Sequence, residues 1–494
     1  METKGYASAT LLRLVAIALN AVGSLLLLPL VLKTLGEYNF GIWALATTLT
    51  GYLLLLDFGI AAACTRYLSS QSGDEAGWRR TLSSSMLLSW VLTGLLLLAA
   101  VLVQVAANTG WLGNDHQPLT NVITLLLVEV GLSIPLRLYQ SILRAEVRYL
   151  QMGWFEIIRI VLRLLGIPLI LWLGGGLMAI VLYGSLVNLL FFLMMFLSVY
   201  WRDQTTHFQR ISIDLQHLQE LFSFSKYMAV TQVAEFFKYR TDNLLVGLLL
   251  GVGVVAPYAI MIVVVDMVAQ ILTRFQGYWD TIIIRHAGQG RPAAALDTML
   301  TSLQIGMALA LLAAFNLSLL GDWFLTLWVG EQYAYLTPAL VIFSLVMVGY
   351  ACQAATTPYF NALHQQRANA WLASGEILLK LLLVVPLAHV YGFKGVVYAG
   401  VLATLLFLLL RLRLVAVLVG SSLWNMLTIV FRKIAPVLLL LLCAGGASLA
   451  LGKTGLPVFA SMALVLAVQA LGLFFWIKNP GLRGLSFHSV HLSK

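Results

Sequence analysis

The chain has 494 residues, of which 61% are hydrophobic and only 10% charged, against about 25% charged in an ordinary soluble domain. With a mean hydropathy of +0.92, there is too little charge to coat a soluble surface. Soluble enzymes, nucleic-acid-binding modules and disordered chains are thereby excluded. A polytopic membrane protein remains, with about 20 apolar residues needed per crossing. The net charge of +10 is read as cytoplasmic loop charge, not as a nucleic-acid footprint.

Fourteen apolar segments follow in chain order: 11–31, 40–63, 85–107, 122–143, 154–173, 177–200, 227–250, 254–272, 303–328, 340–355, 370–391, 396–410, 435–451 and 458–477. Each is expected to be a helix, because lipid leaves an open strand's backbone unpaired. The N-terminal segment reads as the first span, not as a removed signal peptide. The fold class is all-α: two six-helix lobes, residues 1–200 and 225–417, with two extra helices and a cytoplasmic tail in 418–494. Residues 201–224 carry Ile211, Leu215, Leu218 and Phe222 at helical spacing. They are expected to form an amphipathic linker on the inner membrane face.

Orientation follows from Lys and Arg. With a cytoplasmic N-terminus, 22 of the 30 lie inside or toward the inner ends of spans, while Lys33, Lys394 and Lys453 lie outside. Five more are held within spans. This asymmetry predicts both termini in the cytoplasm, with Asn114 and Gln332 facing out.

The two sixes read as repeats in one orientation. Leu35-Gly36 is followed by Gly41, Trp43 and Ala44, and Leu250-Gly251 by Ala256, Tyr258 and Ala259, at a constant offset of 215. Pro168 and Pro386 are offset by 218. A pseudo-twofold axis normal to the membrane is expected, with the last two spans at the periphery. Repeated six-span units are a transporter architecture.

Several segments carry a family resemblance. LGEYNFGIWALATTLTGYLLLLDFGIAAACTRYLS, from Leu35 to Ser69, resembles the opening signature of bacterial polysaccharide transporters, which include O-antigen and exopolysaccharide repeat-unit flippases. TDNLLVGLLLGVGVVAPYAI, from Thr241 to Ile260, is similar to their seventh-helix motif, with Ala256-Pro257-Tyr258 in place of Gly-x-Tyr. ILRAEVRYLQMGWFEIIRIVLRLLG and YGFKGVVYAGVLATLL also resemble family segments. Membership of the multidrug, oligosaccharidyl-lipid and polysaccharide exporter superfamily implies a V-shaped pair of lobes working by alternating access in the bacterial inner membrane. It implies an undecaprenyl-diphosphate-linked oligosaccharide as cargo and polysaccharide polymerase machinery as neighbour. Two alternatives stay open: a lipid-linked peptidoglycan-precursor flippase, and a cation-coupled multidrug exporter.

Charges inside spans are costly and need a partner, water or a function. Glu156, Arg159 and Arg163 share one helix face at i, i+3, i+7. Glu235, Lys238 and Asp242 repeat that spacing, and Glu376 and Lys380 lie at i, i+4. The basic members Arg159, Arg163, Lys238 and Lys380, with Arg240 on the far side of its helix, are the candidate substrate-binding residues, since a guanidinium fork suits phosphate oxygens. Glu156, Glu235, Asp242 and Glu376 are candidate ion-pair partners. The lone acids Asp57, Glu129 and Asp266 are candidate coupling sites for a proton or sodium gradient, and Asp57 has Arg66 within reach as a pairing partner. Pro29, Pro135, Pro168 and Pro386 interrupt spans and are candidate hinges.

No cofactor or metal is indicated. Cys64, Cys352 and Cys443 are unspaced, and the eight His are scattered. ASLALGKT (447–454) fits a loose phosphate-loop pattern but lacks the strand before it. No catalytic constellation appears, and a non-enzyme is expected.

Overall fold

The computed structural model describes residues 2–54, 57, 60–70, 74–110, 117–202, 241–451 and 469. The amphipathic linker, Glu235, Lys238, Arg240, Asn114, most of the fourteenth span and the tail lie outside them, as do the side chains of Arg66 and Lys433. Among the described residues the chain is helical and has no strand. Its helices are α1 (Glu2–Leu54), α2 (Ile60–Ser70), α3 (Glu75–Asn108), α4 (Gln117–Ala145), α5 (Tyr149–Trp172) and α6 (Leu177–Tyr200). Then come α7 (Thr241–Leu250), α8 (Val255–Gly288), α9 (Pro292–Trp328), α10 (Thr337–Ser344), α11 (Val346–Ala362), α12 (Gln366–Tyr391), α13 (Phe393–Leu418) and α14 (Leu423–Leu451).

Nine described helices are long and apolar enough to cross a membrane, or ten counting the 51° bend in α14 as one span. The larger number read from sequence is reconciled by particulars. Residues 18–53 of α1 would reach about 54 Å as one rod, against about 30 Å of hydrocarbon. The backbone breaks at Gly36 (φ 77, ψ 168), so α1 holds the first two spans joined without a loop. Only ten residues of the seventh span are described. The fifth, α5, is helical over 24 residues but carries three charges.

Membrane as solvent is written on the surfaces. On α3, Val91, Leu95, Leu98, Leu102 and Val105 form an exposed stripe, each more than half accessible, which water would not tolerate. Trp154 and Trp172 stand exposed at the two ends of α5, about 27 Å apart along the axis, at the spacing of two interfacial aromatic belts.

By packing, the chain divides into Met1–Ile260 and Met261–Lys494. In the first unit, α7 docks on α1: Tyr52 Oη donates to Thr241 Oγ1 at 2.9 Å and Asn243 Nδ2 to Thr48 Oγ1 at 3.3 Å. Gly41 permits this approach, since a Cβ there would lie 2.4 Å from the Val252 carbonyl. Residues 241–260 therefore pack with the first unit, although the sequence repeat begins its second copy before them. In the second unit, Gln276 Nε2 on α8 donates to Ser302 O at 3.1 Å and to Ala351 O at 2.9 Å. It ties α8 to α9 and α11. Arg411 is 2% exposed and donates to Asn369 Oδ1 at 2.8 Å, joining α13 to α12.

The duplicated sequence has a duplicated backbone. Gly36 and Gly251 (φ 91, ψ 162) share one positive-φ extended conformation that only glycine adopts readily. Val147 (φ 59) and His364 (φ 58) are left-handed, each closing a turn with the same set of three backbone hydrogen bonds. Gly174 (φ 82) and Gly392 (φ 60) follow Pro168 and Pro386 by six residues in both copies.

Pro135 shows how an intramembrane proline is accommodated. Having no N–H, it leaves the Gly131 carbonyl unbonded within α4. Thr93 Oγ1 of α3 donates to that carbonyl at 2.7 Å. Proline and threonine thus weld two helices together at a buried point.

Candidate functional site

Four helices of the first unit, α1, α4, α5 and α6, line a half-open cavity of about 400 Å³ with polar and apolar walls. Helical spacing builds each wall. Trp43, Thr47 and Thr50 recur at i, i+4, i+7 on α1; Arg159, Arg163 and Ile167 recur every fourth residue on α5; Gly184, Ser185 and Asn188 come from α6; Leu126 and Glu129 come from α4. Tyr183 fixes the α5–α6 contact. Its hydroxyl donates to Leu162 O at 2.7 Å, and its ring sits where Gly166 has no side chain.

Glu129 is buried and accepts hydrogen bonds at both oxygens from neutral donors, Ser185 Oγ at 2.5 Å and Asn188 Nδ2 at 2.8 Å. Arg159 pairs with Glu156, one turn away, and lays its guanidinium over the Phe191 ring at 4.5 Å. Arg163 is different. Its Nη2 lies beside Gly184, 3.7 Å from where a Cβ would be. Arg159, Glu129 and Glu156 are the charges whose fields reach it. Among the described residues it makes no hydrogen bond or ion pair. Nine residues after Trp154, it lies about 13.5 Å along α5, near the midplane.

The residues singled out from sequence are thus divided. Arg159, Arg163 and Glu129 share the cavity, and Glu156 sits beside it as the partner of Arg159. Asp57 does not line it. Asp57 is 5% exposed and forms an ion pair at 3.3 Å with Arg137 of α4, a partner not anticipated. Asp242 is buried and accepts from Tyr258 Oη at 2.6 Å. Glu376, Lys380 and Asp266 belong to the second unit. There Thr404 Oγ1 donates to Glu376 at 3.1 Å, and the Lys380 stem lies against Gly400. Glu235, Lys238 and Arg240 lie outside the described residues.

Sequence reading missed Arg137, Ser185 and Asn188. Arg137 lies near the inner end of its span, where a basic residue reads as cytoplasmic loop charge. Ser185 and Asn188 carry no charge, and their meaning depends on which helix faces α6. Among the described residues no group of three His, Cys, Asp or Glu could hold a metal.

A helical polytopic membrane protein with a charged cavity among its helices near mid-membrane depth is the class these features define. Solved structures with this fold include the lipid II flippase MurJ in an inward closed conformation, at 15% identity and TM-score 0.67, covering 95% of this chain and 97% of that one. An inward-facing multidrug resistance MATE family transporter of the MOP superfamily matches at 14% identity and TM-score 0.64, covering 79% and 92%. In sequence, the chain is similar to a probable low-salt glycan biosynthesis flippase of Haloferax volcanii, 22% identical over 381 residues and 75% of each chain. The family described as polysaccharide biosynthesis protein matches residues 7–277. The chain belongs to that family.

Proposed function

We propose that the protein is a flippase that carries an undecaprenyl-diphosphate-linked oligosaccharide across the bacterial cytoplasmic membrane by alternating access, for surface polysaccharide synthesis. The observation that carries this reading is Arg163, which makes no hydrogen bond or ion pair among the described residues and lines the cavity near the membrane midplane. On insertion scales such a charge costs about 2.5–3.5 kcal/mol at mid-bilayer. A cargo that brings an anion to it offsets that cost during transport. Family membership and the printed name of the Haloferax relative support a glycan cargo. An organic cation would meet Arg163 with like charge.

In this reading the protein is a carrier and not an enzyme, its termini are cytoplasmic, and its cargo passes to polymerase machinery in the same membrane. Of Asp57, Glu129 and Asp266, Glu129 lines the cavity, and we assign it the coupling to a proton or sodium gradient. The test is deletion of the gene with extraction of lipid-linked intermediates. An oligosaccharide on undecaprenyl diphosphate should accumulate on the inner leaflet and clear on complementation. Unchanged lipid pools would reject the proposal.

A further inference from the structure

The charges around the cavity constrain which part of such a cargo it receives. Arg159 and Arg163 face Glu129 and Glu156, two bases against two acids, so the cavity is not cationic overall. Arg159 has its fork on Glu156 and its plane on Phe191. Glu129 is held by two neutral donors, Ser185 and Asn188. One guanidinium remains for a ligand. A diphosphate would bring at least two negative charges into a neutral site beside a buried carboxylate, and like charge at that range is unfavourable. A single carboxylate matches one free fork.

The wall contributed by α1 suits a sugar ring. Trp43 offers an indole, an apolar aromatic surface for the C–H side of a pyranose. Thr47 and Thr50 spend their hydroxyl protons on Ala44 O at 2.8 Å and Ala46 O at 2.9 Å. Their oxygen lone pairs are left to accept from sugar hydroxyls. At about 400 Å³ the cavity is at the small end for ligand pockets, about 300–1,000 Å³. It takes a sugar unit, not a whole repeat.

From this we infer that the cavity is a specificity subsite for one carboxylated sugar of the glycan, with its carboxylate on Arg163 and its ring on Trp43. The inference rests on the flippase reading and makes it narrower: the lipid diphosphate binds elsewhere.

The experiment is ligand-observed saturation-transfer NMR on the full-length protein in nanodiscs. The probes are methyl glucuronoside and methyl glucoside, with inorganic pyrophosphate as competitor. The glucuronoside should bind about tenfold tighter than the glucoside, a difference of about 1.4 kcal/mol. Arg163→Gln should erase that preference, Arg163→Lys should keep part of it, and Trp43→Ala should weaken both sugars. Lys394→Gln, at an exposed position of the second unit, should change nothing. Thermal unfolding of each variant shows that it is folded. A preference that survives Arg163→Gln, equal binding of the two glycosides, or displacement by pyrophosphate that depends on Arg163 would each overturn the inference. Flipping of an acidic lipid-linked glycan that Arg163→Gln leaves intact would remove this subsite while leaving the flippase reading standing. Failure of the wild type to flip any lipid-linked glycan would remove both.

Discussion

Arg163 and Lys380 occupy one position in two copies of the same helix. Each follows an exposed tryptophan, Trp154 or Trp371, by nine residues and precedes Pro168 or Pro386. Each lies against a glycine of the next helix, Gly184 at 3.7 Å and Gly400 at 3.9 Å, measured to an added Cβ. One turn earlier the copies diverge: Arg159 stands where the second copy has Glu376. A basic residue thus recurs at this place, while the residue one turn earlier differs in the sign of its charge. A small residue at each place leaves room for the long basic side chain to cross to the next helix. Gly184→Ala should therefore be tolerated, since 3.7 Å is ordinary contact. Gly184→Leu should fill the floor beside Arg163 and lower transport by about tenfold at unchanged membrane abundance. Equal transport by both variants would separate Gly184 from function.

The Asp57–Arg137 pair is predicted to be structural. Removing one member of a buried pair costs about 3–5 kcal/mol; Arg137 is partly accessible, so the low end applies. Asp57→Asn and Arg137→Gln should each reduce the folded fraction in detergent. The double variant should lose less than the sum of the two single losses. Additive losses would show that the two residues act separately.

How much of this was legible beforehand depended on whether the signal was local. Helix α6 lies at Leu177–Tyr200, where hydropathy alone places it, because an uninterrupted apolar run has one solution in lipid. Helices α3, α8 and α9 run past their predicted ends into charged sequence, which hydropathy does not score. The turn between the first two spans shrinks to Gly36, since a left-handed residue reverses a chain without a loop. The stripe on α5 was visible as i, i+3, i+7 spacing. That Glu129, Ser185 and Asn188 join it was not, because three helices must first be assembled around α5.

The proline–threonine weld gives a prediction with an internal rescue. Thr93→Val should destabilise by about 1–3 kcal/mol, the cost of leaving the buried Gly131 carbonyl without a donor. Thr93→Ser should be near neutral. Adding Pro135→Ala to Thr93→Val should recover stability, because the new amide can bond Gly131 within the helix. Thermal unfolding in detergent reads all three, and no recovery in the double variant would refute the compensation.

Topology is checked at Gln332, exposed in the 3₁₀ turn Glu331–Leu336. In a background without the native cysteines, Gln332→Cys should react with a membrane-impermeant thiol reagent in spheroplasts, while Gln204→Cys should react only after lysis. The opposite pattern would invert the charge-based orientation.

The most direct test of the central claim is flipping of a purified lipid-linked acidic oligosaccharide by the full-length protein in proteoliposomes, wild type against Arg163→Gln and Arg163→Lys at matched incorporation. The expected result is transport by wild type, a loss of about tenfold or more in Arg163→Gln and an intermediate rate in Arg163→Lys. Wild-type rates in Arg163→Gln would contradict the account, leaving the mid-membrane cation without a role in moving the cargo.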